Sequence, residues 1–279
     1  MTTWDPTQEP PQVRIGPVGV FLVLFRGVIL ASLIFGGLGF LLLVRLVERP
    51  LHGVQRPWTP WIVQGVCAMA LIVLGIRYHV EGERMQARGA VVSNHVSWLD
   101  IFVLNARKRV YFVSKAEVAR WPAIGWLARA VGTVFINRDP RQAKTQQALF
   151  EDRLLAGHRL LFFPEGTSTD GKQVLSFKST LFEAFFSERL EHDLHIQPVT
   201  LAYHVPRGQD DRFYGWWGEM AFGPHLARVM SVGRPGAVTV KYHKPLRVDD
   251  FPHRKALAAA CEEVVRSGLV DHRGTCAAG

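Results

Sequence analysis

Residues 91–100 read VVSNHVSWLD. A short apolar run ends there, and His95 and Asp100 follow, five positions apart. Histidine is the side chain best matched to take a proton near neutral pH. A carboxylate bonded to it fixes its tautomer and stabilises the imidazolium that forms. On one regular helix, residues five apart lie about 140° apart around the axis, so this pair cannot meet from a single helix. They meet if His95 stands on a loop and Asp100 in the first turn of the helix that follows. Ser97-x-x-Asp100 also reads as a capping-box variant, with Ser97 as N-cap and Asp100 near the positive helix end. The two roles are compatible, since one carboxylate oxygen can face a backbone N–H and the other His95. Two more polar clusters follow apolar runs: NRD at 137–139 and PEGTSTDG at 164–171.

These clusters need elements to position them. From residue 82 onward, short β-branched or aromatic runs alternate with longer amphipathic ones. Strands are expected over 90–93, 110–113, 133–136, 160–163, 196–202 and 237–242. Strands separated by helices argue for an α/β fold, a mixed, largely parallel sheet flanked by helices. Near-continuous apolar strands such as LLFF fit a sheet covered on both faces. One helix starts with Asp139 as N-cap and Pro140 as its first residue. Ala143, Gln147, Phe150 and Leu154 then recur at three- and four-residue steps, and Gly157 supplies the stop. Further helices are expected over 179–188 and 253–267, and the end DHRGTCAAG is expected to be disordered. In open α/β sheets functional groups gather beyond the carboxyl ends of strands. All three polar clusters fall at such ends.

The first 80 residues are different. Positions 27–44 form an uncharged run of 18 residues, and positions 58–76 a second of 19. Each is just long enough for a hydrocarbon core of about 30 Å. Trp58 and Trp61 stand where an interfacial aromatic belt would lie. The acidic start (Asp5, Glu9) and the late apolar run argue against a cleaved signal peptide. If both runs spanned a bilayer, the loop bearing Arg45, Arg49 and Arg56 would face away from the cytoplasm, against the positive-inside bias. A re-entrant or monotopic hairpin on the cytoplasmic face of the inner membrane removes the conflict. The expected division is therefore an N-terminal tail (1–16), a membrane helical hairpin (17–80), an α/β domain (81–270) and a disordered tail (271–279).

With 33 Lys+Arg against 24 Asp+Glu in 279 residues, the net charge is +9. That favours an anionic partner such as an anionic membrane or an acidic carrier protein. Nucleic acid suits the charge, but no basic-aromatic patch supports it. Three separated cysteines show neither disulfide nor zinc spacing. No dinucleotide fingerprint and no P-loop are present, so neither a metal nor a redox cofactor is expected.

In order along the chain, NHVSWLD, VFINRD, FFPEGTSTDG and IQPVTL, the last centred on Pro198, resemble the four motif blocks of the glycerolipid acyltransferases. FVSKAEV (112–118) matches the segment between the first two. The likeness covers roughly residues 80–245. NHxxxxD alone is a weak signal, but in order with PEGT it is highly specific. The resemblance implies acyl transfer from a thioester, on acyl carrier protein or acyl-CoA, to a hydroxyl of a lyso-lipid, without an acyl-enzyme. His95 would be the general base and Asp100 would orient it. Lys115, Gly166 and Thr167 would stabilise the tetrahedral oxyanion. Asn94, Ser97, Arg138, Glu165 and Ser168 would bind the acceptor.

One departure is informative. The phosphate-acceptor branch continues PEGT with arginine, the natural bidentate partner of phosphate, whereas this chain has Ser168, Thr169 and Asp170. With the segment FYGWWGEM (213–220), this resembles the lyso-ornithine-lipid O-acyltransferases. A lyso-ornithine lipid or related lyso-aminolipid is thus the preferred acceptor, and lysophosphatidic acid the alternative. Asp170 and Glu219 are candidates for an ammonium contact, and Trp216 and Trp217 read equally as membrane anchors. Two rivals are a non-catalytic membrane-anchored lipid-binding module and a metal-dependent lipid phosphohydrolase using His95, Asp100, Asp139 and Glu165. Neither explains the ordered motif set.

Overall fold

The computed structural model describes residues 14–136, 143–190 and 194–276. Among the described residues the sheet has eight strands: β1 (Arg77–Glu81), β2 (Gly89–Ser93), β3 (Tyr111–Lys115), β4 (Val134–Ile136), β5 (Leu160–Phe162), β6 (His195–His204), β7 (Ala237–Tyr242) and β8 (Leu246–Arg247). Their order is β1-β7-β6-β2-β5-β3-β4, with β8 also paired to β6. Every pairing is parallel except β6–β7 and β6–β8. The expected mixed, largely parallel sheet is what forms.

Both faces are covered, which is why the strands lack polar alternation. Ala90 and Val92 of β2 and Leu160 and Phe162 of β5 pack on one face against α5 (Ala143–Leu155) and α7 (Arg254–Cys276). Val91 and Leu161, one residue out of phase, pack on the other. There they meet α2 (Thr59–Leu74), α3 (Leu99–Asn105) and α6 (Phe222–Met230).

Several boundaries move. β1 lies within the stretch assigned to the hairpin and belongs to the sheet. The helix expected over 179–188 is a 3-10 helix, Ser179–Phe186. α7 continues past Ser267 to Cys276, into the tail expected to be disordered. Gly157 stops α5 as expected, at φ 77°. Asp139 and Pro140 lie outside the described residues.

α1 (Pro17–His52) is 36 residues long, and α2 packs along it. Their turn is fixed from within by Glu48, which is fully buried. Its carboxylate accepts from the Trp58 and Thr59 N–H groups at 2.7 and 3.0 Å and the Thr59 hydroxyl at 2.8 Å. These are donors that no intrahelical carbonyl can satisfy at the start of α2. Only 11% of the most apolar window of α1 is buried, while Phe21, Leu24, Val28 and Leu46 are exposed. Both ends of the hairpin's long arm are tied to the α/β domain. Arg26 donates to the Met230 and Val232 carbonyls at 2.8 and 2.7 Å. Arg56, just past the other end, donates to the Ala130 carbonyl at 2.7 Å, where α4 (Ile124–Ala130) finishes.

Candidate active site

The carboxyl ends of β2, β3, β4, β5 and β6 share one edge of the sheet because these strands are parallel. His95 stands on the loop after β2, and Asp100 in the first turn of α3. The His95 Nδ1 lies 2.7 Å from Asp100 Oδ2. That same oxygen accepts the N–H groups of Val96 (2.7 Å) and Ser97 (3.0 Å). The carboxylate thus reaches back to Ser97 as in a capping box. The structural N-cap is Trp98, however, whose side chain makes no cap bond, and the Ser97 hydroxyl accepts the Leu99 N–H at 3.4 Å.

The division of labour between the two carboxylate oxygens differs from expectation. Oδ2 serves both the backbone and the histidine, while Oδ1 accepts the Tyr203 hydroxyl at 2.7 Å. Tyr203 reaches this point because β6 runs past β2: Ser93 pairs with Val199, and β6 continues to His204. Burial, then the neighbouring Asp100 charge, raises the Tyr203 pKa, so its O–H stays a donor.

His95 is held on all sides but one. Its ring stacks on Phe163 at 4.0 Å between centroids. Its backbone N–H donates to Glu165 Oε1 at 2.7 Å, and its carbonyl accepts the Thr169 N–H at 2.9 Å. Among the described residues no hydrogen bond reaches Nε2, and the side chain is 21% exposed. With Nδ1 facing a carboxylate, Nε2 is the nitrogen available to a substrate.

The PEGT turn braces this loop. Glu165 is 2% exposed, and its Oε2 accepts the Leu175 N–H at 2.8 Å. Burial pushes its pKa up to about 8, against the pull of those two backbone N–H groups. Gly166 adopts φ 72°, open to glycine at no steric cost. A Cβ there would stand 2.7 Å from Lys178 Nζ, so an exposed ammonium lies against the turn. Thr167 is exposed beside it.

Four residues expected to bind the acceptor are buried, with internal partners. Asn94 exchanges two hydrogen bonds with the Leu201 backbone, at 3.0 and 2.8 Å, and is 1% exposed. Ser97 is fully buried. Ser168 donates to the Trp216 carbonyl. Glu165 has both oxygens on backbone N–H groups. All four build the walls of the site. Arg138 lies outside the described residues. Lys115 is exposed at the end of β3, with β5 between it and β2, so about 10 Å of sheet separates the two strand ends.

The segment 213–217 packs beside the histidine loop. The Trp216 N–H donates to the Val96 carbonyl at 2.9 Å. Trp217 is 3% exposed, which removes it as a membrane anchor. His225 ties this segment down: Trp98 Nε1 donates to its Nδ1 at 2.9 Å, and its Nε2 donates to the Gly215 carbonyl at 2.9 Å. Burial lowers its pKa to about 3, so it is neutral. Lys178 stands just beyond the PEGTSTDG block and outside it, while Tyr203 and His225 escape a reading by motif because each reaches the site from far along the chain. The only hint in the sequence is a polar tip on an apolar strand or helix.

The comparisons with known proteins bear on the family and the fold. The model of the family described as Acyltransferase matches residues 77–202. The lyso-ornithine lipid O-acyltransferase of Rhodobacter capsulatus is 59% identical over 266 residues, 95% of this chain and 96% of that protein. That of Rhizobium meliloti is 34% identical over 76% of this chain and 75% of its own length. The 1-acyl-sn-glycerol-3-phosphate acyltransferase of Neisseria gonorrhoeae is 32% identical over 75% of this chain and 80% of its own. The fold is also that of the crystal structure of the 1-acyl-sn-glycerophosphate acyltransferase from Thermotoga maritima. There the TM-score is 0.64 at 24% identity, covering 91% of this chain and 96% of that one. Identity at this level over almost the whole length goes beyond a shared fold, and the chain belongs to the glycerolipid acyltransferase family as an O-acyltransferase.

Proposed function

We propose that this enzyme moves a fatty acyl group from a thioester, on acyl carrier protein or CoA, to the hydroxyl of a lyso-lipid, with lyso-ornithine lipid as preferred acceptor. The observation that carries the mechanism is the His95 ring, bonded through Nδ1 to Asp100 and open at Nε2. Nε2 takes the proton of the acceptor hydroxyl as that oxygen attacks the thioester carbonyl. The tetrahedral oxyanion collapses, the C–S bond breaks, and the thiolate receives the proton from Nε2. An ester and a free thiol result, and no group stays on the enzyme. Thr167, with Lys115 as a cation on the same sheet edge, supplies the stabilising donors, while Gly166, its own N–H bonded to the Phe163 carbonyl at 3.0 Å, shapes the turn that presents Thr167. Asp100 acts by orienting His95.

Two features support the aminolipid acceptor: the relatives of that name and the Ser-Thr-Asp that replaces an arginine after PEGT. The exposed apolar face of α1 supports attachment to a membrane, since contiguous exposed apolar surface this large marks a contact with lipid or protein. Both ends of α1 rest on the same domain, which favours a hairpin lying in one leaflet over a spanning one. The arginines at its turn favour the cytoplasmic face of the inner membrane.

A competition decides the acceptor. Purified enzyme receives equal lyso-ornithine lipid and lysophosphatidic acid with one acyl donor, and products are read by mass spectrometry. Diacylated ornithine lipid is expected; phosphatidic acid alone overturns the assignment. His95→Ala is expected to abolish turnover while vesicle binding persists, and near-wild-type turnover ends the mechanism.

A further inference from the structure

We propose that the groove between the hairpin turn and the end of α4 is a binding site for the phosphate of an anionic phospholipid, distinct from the His95 site. The groove encloses about 560 Å3 and is lined by Arg45, Arg49, Arg56 and Arg129, with Leu42 and Val54 at its rim. It lies where α4 leads into the amino end of β4, the edge of the sheet opposite His95. Neither the acceptor hydroxyl nor the thioester reacts there.

Of the four cations, only Arg45 has a carboxylate partner among the described residues. Arg45 is spent on Glu48 and on the Gly53 and Gln55 carbonyls. Glu48 is fully buried, and its carboxylate is occupied by the start of α2. Arg56 gives one nitrogen to Ala130, but its Nε is buried with no partner. Arg129 gives one nitrogen to the Ala119 carbonyl and is otherwise exposed. The Arg49 guanidinium makes no hydrogen bond or ion pair among the described residues. Burial, and then the neighbouring Arg45 charge, lower the Arg56 pKa. Guanidinium forks are the natural partners of phosphate oxygens.

The surroundings select a lipid over a free ion. Leu42, Val54 and Leu46 are 49%, 68% and 72% exposed beside the arginines. An amphiphile can place its phosphate in the groove and its chains along α1. A concave groove that presents the exposed Arg49 and Arg129 guanidinium groups beside apolar side chains fits one lipid head group.

Native mass spectrometry of the full chain in neutral detergent tests this, with equal phosphatidylglycerol and phosphatidylcholine added. The wild type is expected to retain phosphatidylglycerol about tenfold over phosphatidylcholine. The double variant Arg49→Gln/Arg129→Gln, which changes two exposed side chains, is expected to lose that preference. A control, Arg207→Gln/Arg234→Gln, removes the same charge elsewhere on the exposed surface and is expected to keep it. Equal loss in the control assigns the effect to net charge and overturns the site. Displacement of the lipid by equimolar inorganic phosphate overturns the lipid assignment. So does a groove variant that keeps its lipid preference but raises KM for an acyl carrier protein donor.

Discussion

Tyr203→Phe removes one hydroxyl and nothing else from the site. In the native enzyme that hydroxyl is the partner of Asp100 Oδ1, at 2.7 Å, in a place where Asp100 is fully buried. Oδ2 keeps its contacts to His95, Val96 and Ser97, so the carboxylate stays near its position with one oxygen unsatisfied. A hydrogen bond to a charged group contributes about 1.5–3 kcal/mol. If that energy serves to hold the dyad, kcat falls by about tenfold to a hundredfold, at about 1.4 kcal/mol per decade. KM is expected to hold within about twofold, because Tyr203 faces the carboxylate and not the acceptor. The assay is release of free thiol from the acyl donor at saturating lyso-lipid, run on Tyr203→Phe, Asp100→Asn and the double variant. Because Tyr203 acts through Asp100, the double variant is expected to be no slower than Asp100→Asn alone. A single variant at wild-type rate, or a loss that adds fully in the double variant, refutes the positioning role.

Other perturbations test other parts of the site. The folded-state pKa of Glu165, about 8, lies above its ordinary 4.5. Its contribution to stability is therefore fully present below about pH 4.5 and fades as the pH rises to about 8, by up to about 1.4 kcal/mol per unit. Thermal melts across that window should show the decline in wild type and a flatter profile in Glu165→Gln. Lys178→Met is expected to lower kcat about tenfold or more and to cost more than Lys115→Met, because Lys178 lies against the Gly166 turn; steady-state kinetics of both variants would show the order. Gly171 sits at φ 78°, and a Cβ there would be 2.8 Å from Val96 Cγ1, next to His95. Gly171→Ala should lower Tm by about 2–8 °C in a thermal melt and reduce kcat in the thiol-release assay.

Periodic signals were the legible part of the sequence. A two-sided sheet makes its central strands apolar throughout, so β2, β5, β6 and β7 announce themselves. β1 does not: RYHVE is a mostly exposed edge strand whose partner is 160 residues away. His95 and Asp100 were readable because loop and first helical turn bring them together locally. The internal partners of Asn94, Ser97, Glu165 and Ser168 were not legible, for one reason. A polar side chain at a strand end can bind a ligand or satisfy a stray backbone group, and sequence does not say where those groups will lie. Asn94 illustrates this, since its partner is the backbone of Leu201, 107 positions on.

The bond from Arg26 to the carbonyls of Met230 and Val232 has a temporal side. These partners are separated by 204 and 206 residues. At about 5–20 residues per second, the ribosome reaches Val232 some 8–32 s after it completes α2 at Leu74. Through that interval the apolar hairpin exists without the domain that later holds its ends. Under the proposed lipid attachment, the bilayer is its first folding partner and the catalytic domain its second. The enzyme is then assembled in place, against a hairpin already lying in the leaflet, rather than folded in solution and delivered to the membrane afterwards.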